Sequence, residues 1–193
     1  MELQLDSKKR YSYADYLTWM DDKRRELIEG FINLMTPAPS VKHQLLSGNL
    51  HRILSNYLYK KTCKVFYAPF DVRLPKNNKK DGKNIYTVVQ PDICIICDPE
   101  KLDDKGCIGP PDMIIEITSP NNSKHDVQVK YQLYEKYGVR EYWIVFPYEQ
   151  TVLVYLLDET GKYRNVGVFA QDEKVKVNIF DDLDIDLAEA FLE

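Results

Sequence analysis

The chain has 193 residues, 44% of them hydrophobic and 29% charged, and its net charge at pH 7 is −4. This length and composition fit one globular domain over residues 1–193 and exclude a disordered chain. No apolar run approaches the roughly 18 residues that a membrane span needs. The first residues, MELQLDSKKR, have no signal-peptide core, so we expect a cytoplasmic location.

The charge is distributed unevenly along the chain. Lys42 to Lys83 holds ten Lys or Arg against two acids, whereas Asp158 to Glu193 holds ten acids against four bases. A basic front half can attract phosphate groups although the whole chain is acidic. Solvated surface lysines would give the same pattern, so charge alone leaves both interpretations open.

The cysteines raise the question of a metal or redox site. Cys94 and Cys97 form a C-x-x-C motif, while Cys63 and Cys107 stand apart. The motif lies in PDICIICDP, a strand-like run in which residues three apart point to opposite faces. Because the sequence has no second C-x-x-C and no H-x-x-x-H motif, we expect ordinary buried thiols.

The first half of the chain predicts a helix, a hairpin, a longer helix and a strand. Residues 11–20 predict a short helix capped by Ser12, and RRELIEGFINLM predicts a hairpin that turns at Glu29-Gly30. SVKHQLLSGNLHRILSNYLYK has apolar residues at helical spacing after a capping Ser40. KVFYAPFDVRLP predicts a strand, and KNNKKDGKN predicts a lysine-rich loop.

The second half predicts strands around one further long helix. IYTVVQPDICIICDP and DMIIEIT are β segments separated by a loop through Gly109. NNSKHDVQVKYQLYEKYG predicts a helix with Ser123 as its cap, Asp126 in a capping box and Gly138 as its stop. EYWIVFP, TVLVYLL, KYRNVGVFA and KVKVNIF predict strands, and LAEAFLE a short helix. The order predicts an α/β or α+β fold around one mixed sheet.

Three acids occupy unusual places beside apolar runs. Asp92 and Asp112 each follow a proline, and Glu116 lies within MIIEI, where an ionised carboxylate is expensive to bury. Asp112 and Glu116 would lie about 13 Å apart on one strand, too far to share a metal ion. Asp92 can lie beside Glu116 if their strands are neighbours, and a cation such as Mg²⁺ would then relieve their repulsion. Alternatively, Asp92 caps a turn and Glu116 faces solvent.

Lys130 is a candidate partner for these acids. Three residues mark the stripe of its helix that should pack on the sheet: Val127, Tyr131 and Tyr134. Lys130 falls on the same stripe, which is unusual for lysine unless its ammonium reaches an acid or solvent. Because this helix follows the strand that carries Glu116, Lys130 can reach the carboxylates. An exposed ion pair with Asp126, four residues earlier, is the alternative.

Several segments together resemble a known family. QPDICII, RELIEGFINLM and PPDMIIEITSPNNSKHDVQVKYQLYEKYGVREYWIVFP are similar to a widely expanded bacterial family of restriction-endonuclease-like proteins. That family belongs to the PD-(D/E)XK nuclease superfamily, and the resemblance covers about residues 11–190. The most specific part is E-x-x-S-P, a spacer, D-x-x-x-K, and then L-Y…G-V-x-E-Y-W. The resemblance implies a restriction-endonuclease-like core, a mixed β-sheet flanked by helices.

The resemblance also implies a catalytic set. Asp92 matches the aspartate of the PD motif and Glu116 the acid of the (D/E)XK motif, and the two would hold Mg²⁺ or Mn²⁺. The superfamily's usual lysine position, two residues after the second acid, holds Thr118 here. In this family the lysine has moved to the following helix, where Lys130 occupies the matching place.

Other residues are expected at the edge of this site. Glu26 and His43 resemble auxiliary positions of the family, although Glu26 also fits a solvated hairpin acid and His43 an ordinary helix residue. Four lysines are expected to contact the nucleic-acid backbone without reading sequence: Lys76, Lys79, Lys80 and Lys83.

The function implied is that of a metal-dependent endonuclease that hydrolyses phosphodiester bonds, with DNA as the favoured substrate. A homodimer joined through the apolar C-terminal strands is a further expectation. The alternative is a catalytically silent module that keeps the nuclease fold for DNA binding or protein interaction, which the acidic pI favours and the retained Asp92, Glu116 and Lys130 disfavour. A hydrolase of small phosphate esters is weakly supported because no phosphate-cradling glycine loop is present.

Overall fold

The computed structural model describes residues 5–21, 23–35, 39–76, 81–119 and 124–193. In these ranges the helices are α1 (Tyr13–Tyr16), α2 (Val41–Leu58), α3 (Lys124–Tyr137) and α4 (Leu187–Ala190). The strands are β1 (Arg25–Ile28), β2 (Phe31–Leu34), β3 (Lys64–Tyr67), β4 (Val72–Arg73), β5 (Val88–Val89), β6 (Ile93–Ile96), β7 (Leu102–Asp103), β8 (Gly106–Ile108), β9 (Met113–Ile117), β10 (Glu141–Phe146), β11 (Thr151–Leu157), β12 (Tyr163–Ala170), β13 (Lys174–Lys176) and β14 (Asp184–Asp186). No helix within the described ranges is long and apolar enough to cross a membrane.

The chain forms two compact units, and the first comprises residues 1–38, 70–90 and 100–110. Its six-stranded sheet has the order β2-β1-β5-β4-β8-β7. The predicted hairpin is confirmed, with Glu29 and Gly30 at positive φ in the turn between β1 and β2. The predicted cap of α1 is also confirmed, because Ser12 and Asp15 form a reciprocal capping box.

The second unit comprises residues 39–69, 91–99 and 111–193. Its mixed six-stranded sheet has the order β12-β11-β10-β9-β6-β3, and β13 pairs separately with β14. Strands β9 and β10 are parallel and are connected by α3, whereas β6 is antiparallel to β9. The acids and the lysine predicted from the sequence all belong to this unit.

The two long helices cover opposite faces of this sheet. Helix α2 buries four leucines in the same core as Trp143 of β10, and each contributes roughly 1.5 to 3 kcal/mol; they are Leu46, Leu50, Leu54 and Leu58. Because successive strand residues point to opposite faces, Tyr142 lies on the other side. There the Tyr134 ring of α3 packs on the Tyr142 ring at 5.1 Å, and Tyr131 packs on Tyr155 at 4.9 Å.

The helix ends follow the predicted signals where the structure describes them. The Ser40 side chain accepts the His43 N–H at the start of α2. Gly138 ends α3 at φ 84°, a backbone conformation that glycine adopts without steric cost, and donates to the Tyr134 carbonyl. Ser123 and the side chain of Asp126, the predicted N-terminal signals of α3, lie outside the described residues.

The predicted α+β class is confirmed, but two details of the strands are wrong. Within the described residues the strands form two six-stranded sheets and the separate β13–β14 pair rather than one mixed sheet. KVFYAPFDVRLP is not one strand, since β3 ends at Tyr67 and β4 begins at Val72 in the other sheet. Pro69 lies between them and cannot donate to a β-ladder. Pro91 separates β5 from β6 in the same way. The prediction that residues 1–193 form a single domain stays a prediction.

The prediction of ordinary buried thiols holds for Cys94 and is wrong for Cys97. Cys63 and Cys97 form a disulfide, while Cys94 and Cys107 are free and buried. The strand register explains the pairing. Lys64 of β3 lies opposite Ile96 of β6, so the next positions outward, 63 and 97, also face each other.

Candidate active site

Asp92 and Glu116 face each other across two neighbouring strands of the second unit. Ile93 of β6 pairs with Ile115 of β9, so the register sets Asp92, the residue before β6, opposite Glu116. Side chains that oppose each other in an antiparallel pair have Cβ atoms about 4.5 to 5.5 Å apart. Asp92 Oδ2 also accepts the Ile117 N–H at 2.8 Å, at the point where β6 begins and β9 ends. The sequence allowed Asp92 to lie beside Glu116 if their strands were neighbours, and β6 and β9 are neighbours.

Lys130 and Tyr134 of α3 both bind the Glu116 carboxylate. Lys130 Nζ lies 3.0 Å from Glu116 Oε1, and the Tyr134 hydroxyl donates to the same oxygen at 2.5 Å. Only 15% of the Lys130 side chain and 19% of the Glu116 side chain are exposed, so this ion pair is largely shielded from water. Lys130 thus reaches Glu116 from the helix, which is one of the two arrangements that the helical stripe allows.

The partner of Glu116 that the sequence did not predict is Tyr134. We expected its ring to pack on the sheet, which it does, but not its hydroxyl to donate to the carboxylate. The signal was present in the spacing, since residues four apart in a helix lie on the same face and Lys130 precedes Tyr134 by four. The charge of Glu116 also affects Tyr142 of β10, whose ring packs on that of Tyr134. Burial is the larger cause and the Glu116 charge a smaller one, and both raise the pKa of the Tyr142 hydroxyl well above its usual range.

His43 connects the start of α2 to Asp92. Its Nε2 lies 3.4 Å from Asp92 Oδ2, and only 8% of the residue is exposed. Burial alone would lower the pKa of His43, but the contact with Asp92 and the charge of Glu116 outweigh burial and raise that pKa. His43 therefore carries positive charge toward the two acids more readily than an isolated histidine.

Asp112 lies at the other end of β9 and does not join this group. Its Oδ2 accepts the Cys97 N–H at 2.8 Å, and its Oδ1 lies 3.2 Å from the Arg140 guanidinium. Asp112 therefore binds a backbone N–H and an arginine at that end of the sheet. The expectation that Asp112 and Glu116 cannot share one ion is consistent with these separate partners.

Glu26 belongs to a buried polar network in the first unit. It is 2% exposed and accepts the Gln90 N–H at 2.9 Å. The Gln90 side chain accepts from Arg24 and donates to Asp71 at 2.9 Å. Burial raises the pKa of Asp71, although its hydrogen bonds lower it in part. The interpretation of Glu26 as a solvated hairpin acid is wrong, and its auxiliary role stays a prediction.

The four lysines predicted to contact the nucleic-acid backbone fall in the first unit or outside the described ranges. Lys76 and Lys83 are exposed, and Lys83 lies in a short 3₁₀ turn at Gly82–Asn84. Lys79 and Lys80 lie outside the described residues. Their proposed contact with nucleic acid stays a prediction.

The chemistry of Asp92 and Glu116 fits a hard divalent cation. Mg²⁺ takes oxygen ligands, is usually held by one or two carboxylates and keeps several of its waters. The register brings two carboxylates together at one end of the sheet, with the Ile117 backbone between them. Within the described ranges no group of three or more His, Cys, Asp or Glu side chains is arranged to hold a metal ion. The two carboxylates have the oxygen donors that Mg²⁺ or Mn²⁺ takes.

Comparison with known proteins shows the family of the chain. Residues 13–188 match the family model described as "Uma2: Putative restriction endonuclease". The chain belongs to the Uma2 family. The match spans both units, from the first residue of α1 to α4.

Two individual relatives extend the Uma2 assignment. A crystal structure described as "a putative nuclease belonging to DUF820 from Anabaena variabilis ATCC 29413" superposes with a TM-score of 0.71 at 21% identity, covering 94% of this chain and 97% of that chain. An uncharacterized protein of Synechocystis sp., slr1290, is 23% identical over 166 residues, covering 84% of this chain and 83% of its own length. The structural match shows that this Uma2 chain has a nuclease-like fold.

Proposed function

We propose that this Uma2-family chain is a metal-dependent endonuclease that hydrolyses phosphodiester bonds of DNA. The observation that supports the proposal most directly is the meeting of Asp92, Glu116 and Lys130 at one end of the sheet. Two acids and one ammonium within a partly buried site are the groups that phosphodiester hydrolysis needs. The family and the fold agree with this chemistry.

Asp92 and Glu116, together with the Ile117 carbonyl, would hold Mg²⁺ or Mn²⁺. When bound, such an ion polarises the phosphate and lowers the pKa of a water molecule. Asp92 is oriented for this task by the Ile117 N–H and by His43. Glu116 is held by the Tyr134 hydroxyl, which fixes the direction of its carboxylate.

Lys130 would act on the reacting groups themselves. Its ammonium lies beside the Glu116 carboxylate, which faces Asp92, and a positive charge there would stabilise the negative charge that develops on the phosphate in the transition state. The same ammonium can hydrogen-bond the attacking water and orient it. Because the Lys130 side chain is mostly buried, its charge acts through a medium of lower dielectric than water.

The test is a cleavage assay with matched variants. Supercoiled plasmid, single-stranded DNA and RNA are each incubated with the purified protein and Mg²⁺ or Mn²⁺. Asp92→Ala, Glu116→Ala and Lys130→Ala should each lose cleavage, whereas Lys136→Ala, which changes an exposed lysine on the same helix, should keep it. Equal cleavage by all preparations would reveal a contaminating nuclease and remove the support for this proposal.

Measuring metal binding distinguishes the nuclease from the alternative, a catalytically silent module with the same fold. Calorimetric titration of the wild-type protein with Mg²⁺ or Mn²⁺ should give saturable binding that Asp92→Ala abolishes. Neither binding nor cleavage by the wild-type protein would favour a module that keeps the fold for DNA binding or protein interaction. If the protein cleaves RNA but not DNA, the proposed substrate is wrong and the proposed reaction, phosphodiester hydrolysis, stands.

A further inference from the structure

The segment of residues 39–69, here called the α2–β3 arm, has basic residues and no acidic ones. It contains α2 and β3 and carries five Lys or Arg, and the sequence has no Asp or Glu at any position from 30 to 70. In the described structure Arg52 and Lys64 of the arm are exposed. The arm therefore contributes exposed cations to the second unit, although Lys42 is paired with Glu193 at 2.8 Å, and such cations attract polyanions by long-range electrostatics.

Tyr67 is an exposed aromatic residue at the end of this arm. It is 59% exposed and is the last residue of β3. It pairs with Ile93, and the next residue, Ala68, donates its N–H to the Asp92 carbonyl at 3.1 Å. Strand spacing and rise put the Cα atoms of Tyr67 and Asp92 roughly 6 Å apart. Because Tyr67 opposes Ile93, whose side chain lies in the core with α2, the ring is on the α2 face of the sheet, whereas Glu116 faces α3. The ring is therefore near the end of the sheet that carries the candidate active site, but on its other face.

The Tyr67 ring is held in place by His51 of α2. The two ring centroids are 4.5 Å apart and the planes meet at 66°, an edge-to-face contact. Burial lowers the pKa of His51, which favours the uncharged form of the ring that contacts Tyr67. His43, which contacts Asp92, lies on the same helix about 12 Å along its axis from His51. A short stretch of nucleic-acid strand can span that distance.

We propose that Tyr67 is a stacking platform for an unpaired base of the nucleic-acid strand that binds at the candidate active site. The inference rests on the proposed nuclease function and narrows its substrate to single-stranded or locally unpaired nucleic acid. Every base has a π-face, so stacking on an exposed ring tolerates any sequence, but a base inside a duplex is already stacked and cannot use it. The cations of the α2–β3 arm would hold the phosphates on either side.

Binding is measured apart from cleavage to test this inference. A fluorescein-labelled dT₂₀ oligonucleotide and a blunt hairpin duplex are titrated with protein in EDTA, and Kd is read by anisotropy. Tyr67→Ala should weaken binding of the single strand about 5- to 100-fold and leave the duplex unchanged. Tyr67→Phe, which keeps the ring, should bind as the wild type does.

Tyr59→Ala is the matched control. Tyr59 is 73% exposed and follows α2 at the end opposite His43, so removing its ring should leave binding unchanged. A 2-aminopurine base placed along the oligonucleotide should be quenched at one position by the wild-type and Tyr67→Phe proteins and at none by Tyr67→Ala. Binding of the single strand should also weaken as salt rises, because phosphate contacts release counterions.

The outcomes separate this inference from the nuclease proposal. If the wild-type protein cleaves DNA and Tyr67→Ala binds the single strand equally well, the stacking platform is wrong and the nuclease stands. If Tyr67→Ala weakens binding of the single strand and of the duplex equally, Tyr67 does not stack on an unpaired base. If the single strand binds through Tyr67 but nothing is cleaved, the platform stands and the nuclease is wrong. Absence of any oligonucleotide binding overturns the platform and favours a protein partner for the surface.

Discussion

The ammonium of Lys130 lies 3.0 Å from the carboxylate of Glu116, although the two residues belong to a helix and a strand that are 14 positions apart in sequence. Thr118 occupies the position where the wider superfamily usually has its lysine. Its hydroxyl donates to the Val145 carbonyl at 3.2 Å and has no charge to offer the acids. The helix therefore supplies the positive charge that the strand lacks.

This relationship predicts that the lysine can be moved back to the strand. Lys130→Met, which keeps the apolar stem, should lower kcat about 100- to 10,000-fold, since the ammonium acts only in the transition state. Residues two apart on a strand share a face, so a lysine at position 118 would lie on the side of Glu116. Adding Thr118→Lys to Lys130→Met should restore at least part of the cleavage rate, measured by single-turnover kinetics.

The control for the transfer is Thr118→Lys alone. With Lys130 present, a second ammonium near Glu116 should give no gain in rate, because the first one already serves the reaction. If the double variant stays as inactive as Lys130→Met while circular dichroism shows that it is folded, the positive charge is not the function of Lys130.

Asp92 offers a way to separate charge from hydrogen bonding. Asp92→Asn keeps an oxygen that can accept the Ile117 N–H but loses the negative charge. We expect a Tm in EDTA close to that of the wild type and a loss of Mn²⁺ binding in calorimetry, because a neutral amide is a weaker ligand than a carboxylate. Asp112→Asn changes the other Pro-Asp pair, at the far end of β9, and should bind Mn²⁺ normally. Wild-type affinity in Asp92→Asn would refute the assignment of Asp92 as a metal ligand.

The local signals of this sequence identified most elements and the group around Glu116. Lys130 became a candidate because a lysine on a sheet-facing helical stripe needs an acid or solvent within reach, and Glu116 lies on the preceding strand. Periodicity left an ion pair with Asp126 equally open, and the family resemblance also indicated Lys130. The hairpin turn at Glu29-Gly30 and the caps at Ser12 and Ser40 depend on neighbouring residues only, so the sequence alone predicts them.

Features that depend on which strands pair could not be predicted in the same way. The Cys63–Cys97 disulfide requires the register of β3 against β6, which no local pattern sets. The division into two sheets depends on the prolines at 69 and 91, each of which ends one pairing before the next begins. From its place in the hairpin, Glu26 could be a solvent-exposed acid. The fold shows instead that it is buried and accepts the Gln90 N–H.

The disulfide is expected to stabilise the fold. It closes a loop between residues 34 positions apart, so removing it by Cys63→Ser with Cys97→Ser should lower the free energy of unfolding by about 3 to 4 kcal/mol in the chain-entropy model. Guanidinium denaturation of the wild type with and without dithiothreitol should show the same difference, and reductant should not affect the double variant. Four reactive thiols in wild-type protein unfolded without reductant would contradict the bond.

Glu141 should make stability depend on pH in a direction opposite to that of most acids. It is fully buried at the start of β10, where its carboxylate accepts from Trp143 Nε1 and from the Ile179 N–H, each at 2.8 Å. Burial raises the pKa of Glu141 above its ordinary 4.5, and the hydrogen bonds offset this only in part. Because the folded protein then holds the proton more tightly than the unfolded chain, this contribution to stability is complete below pH 4.5 and is lost as pH rises through the higher folded-state pKa.

Glu141→Gln removes this titration while keeping nearly the same shape. The free energy of unfolding of the wild type minus that of Glu141→Gln should therefore decrease as pH rises from 4 to 8, measured by urea denaturation at each pH. Glu149→Gln, which changes an exposed acid that follows the same strand, is the matched control. A difference for Glu141→Gln that increases with pH would mean that the hydrogen bonds from Trp143 and Ile179 outweigh burial and that the ionised carboxylate is the stabilising form.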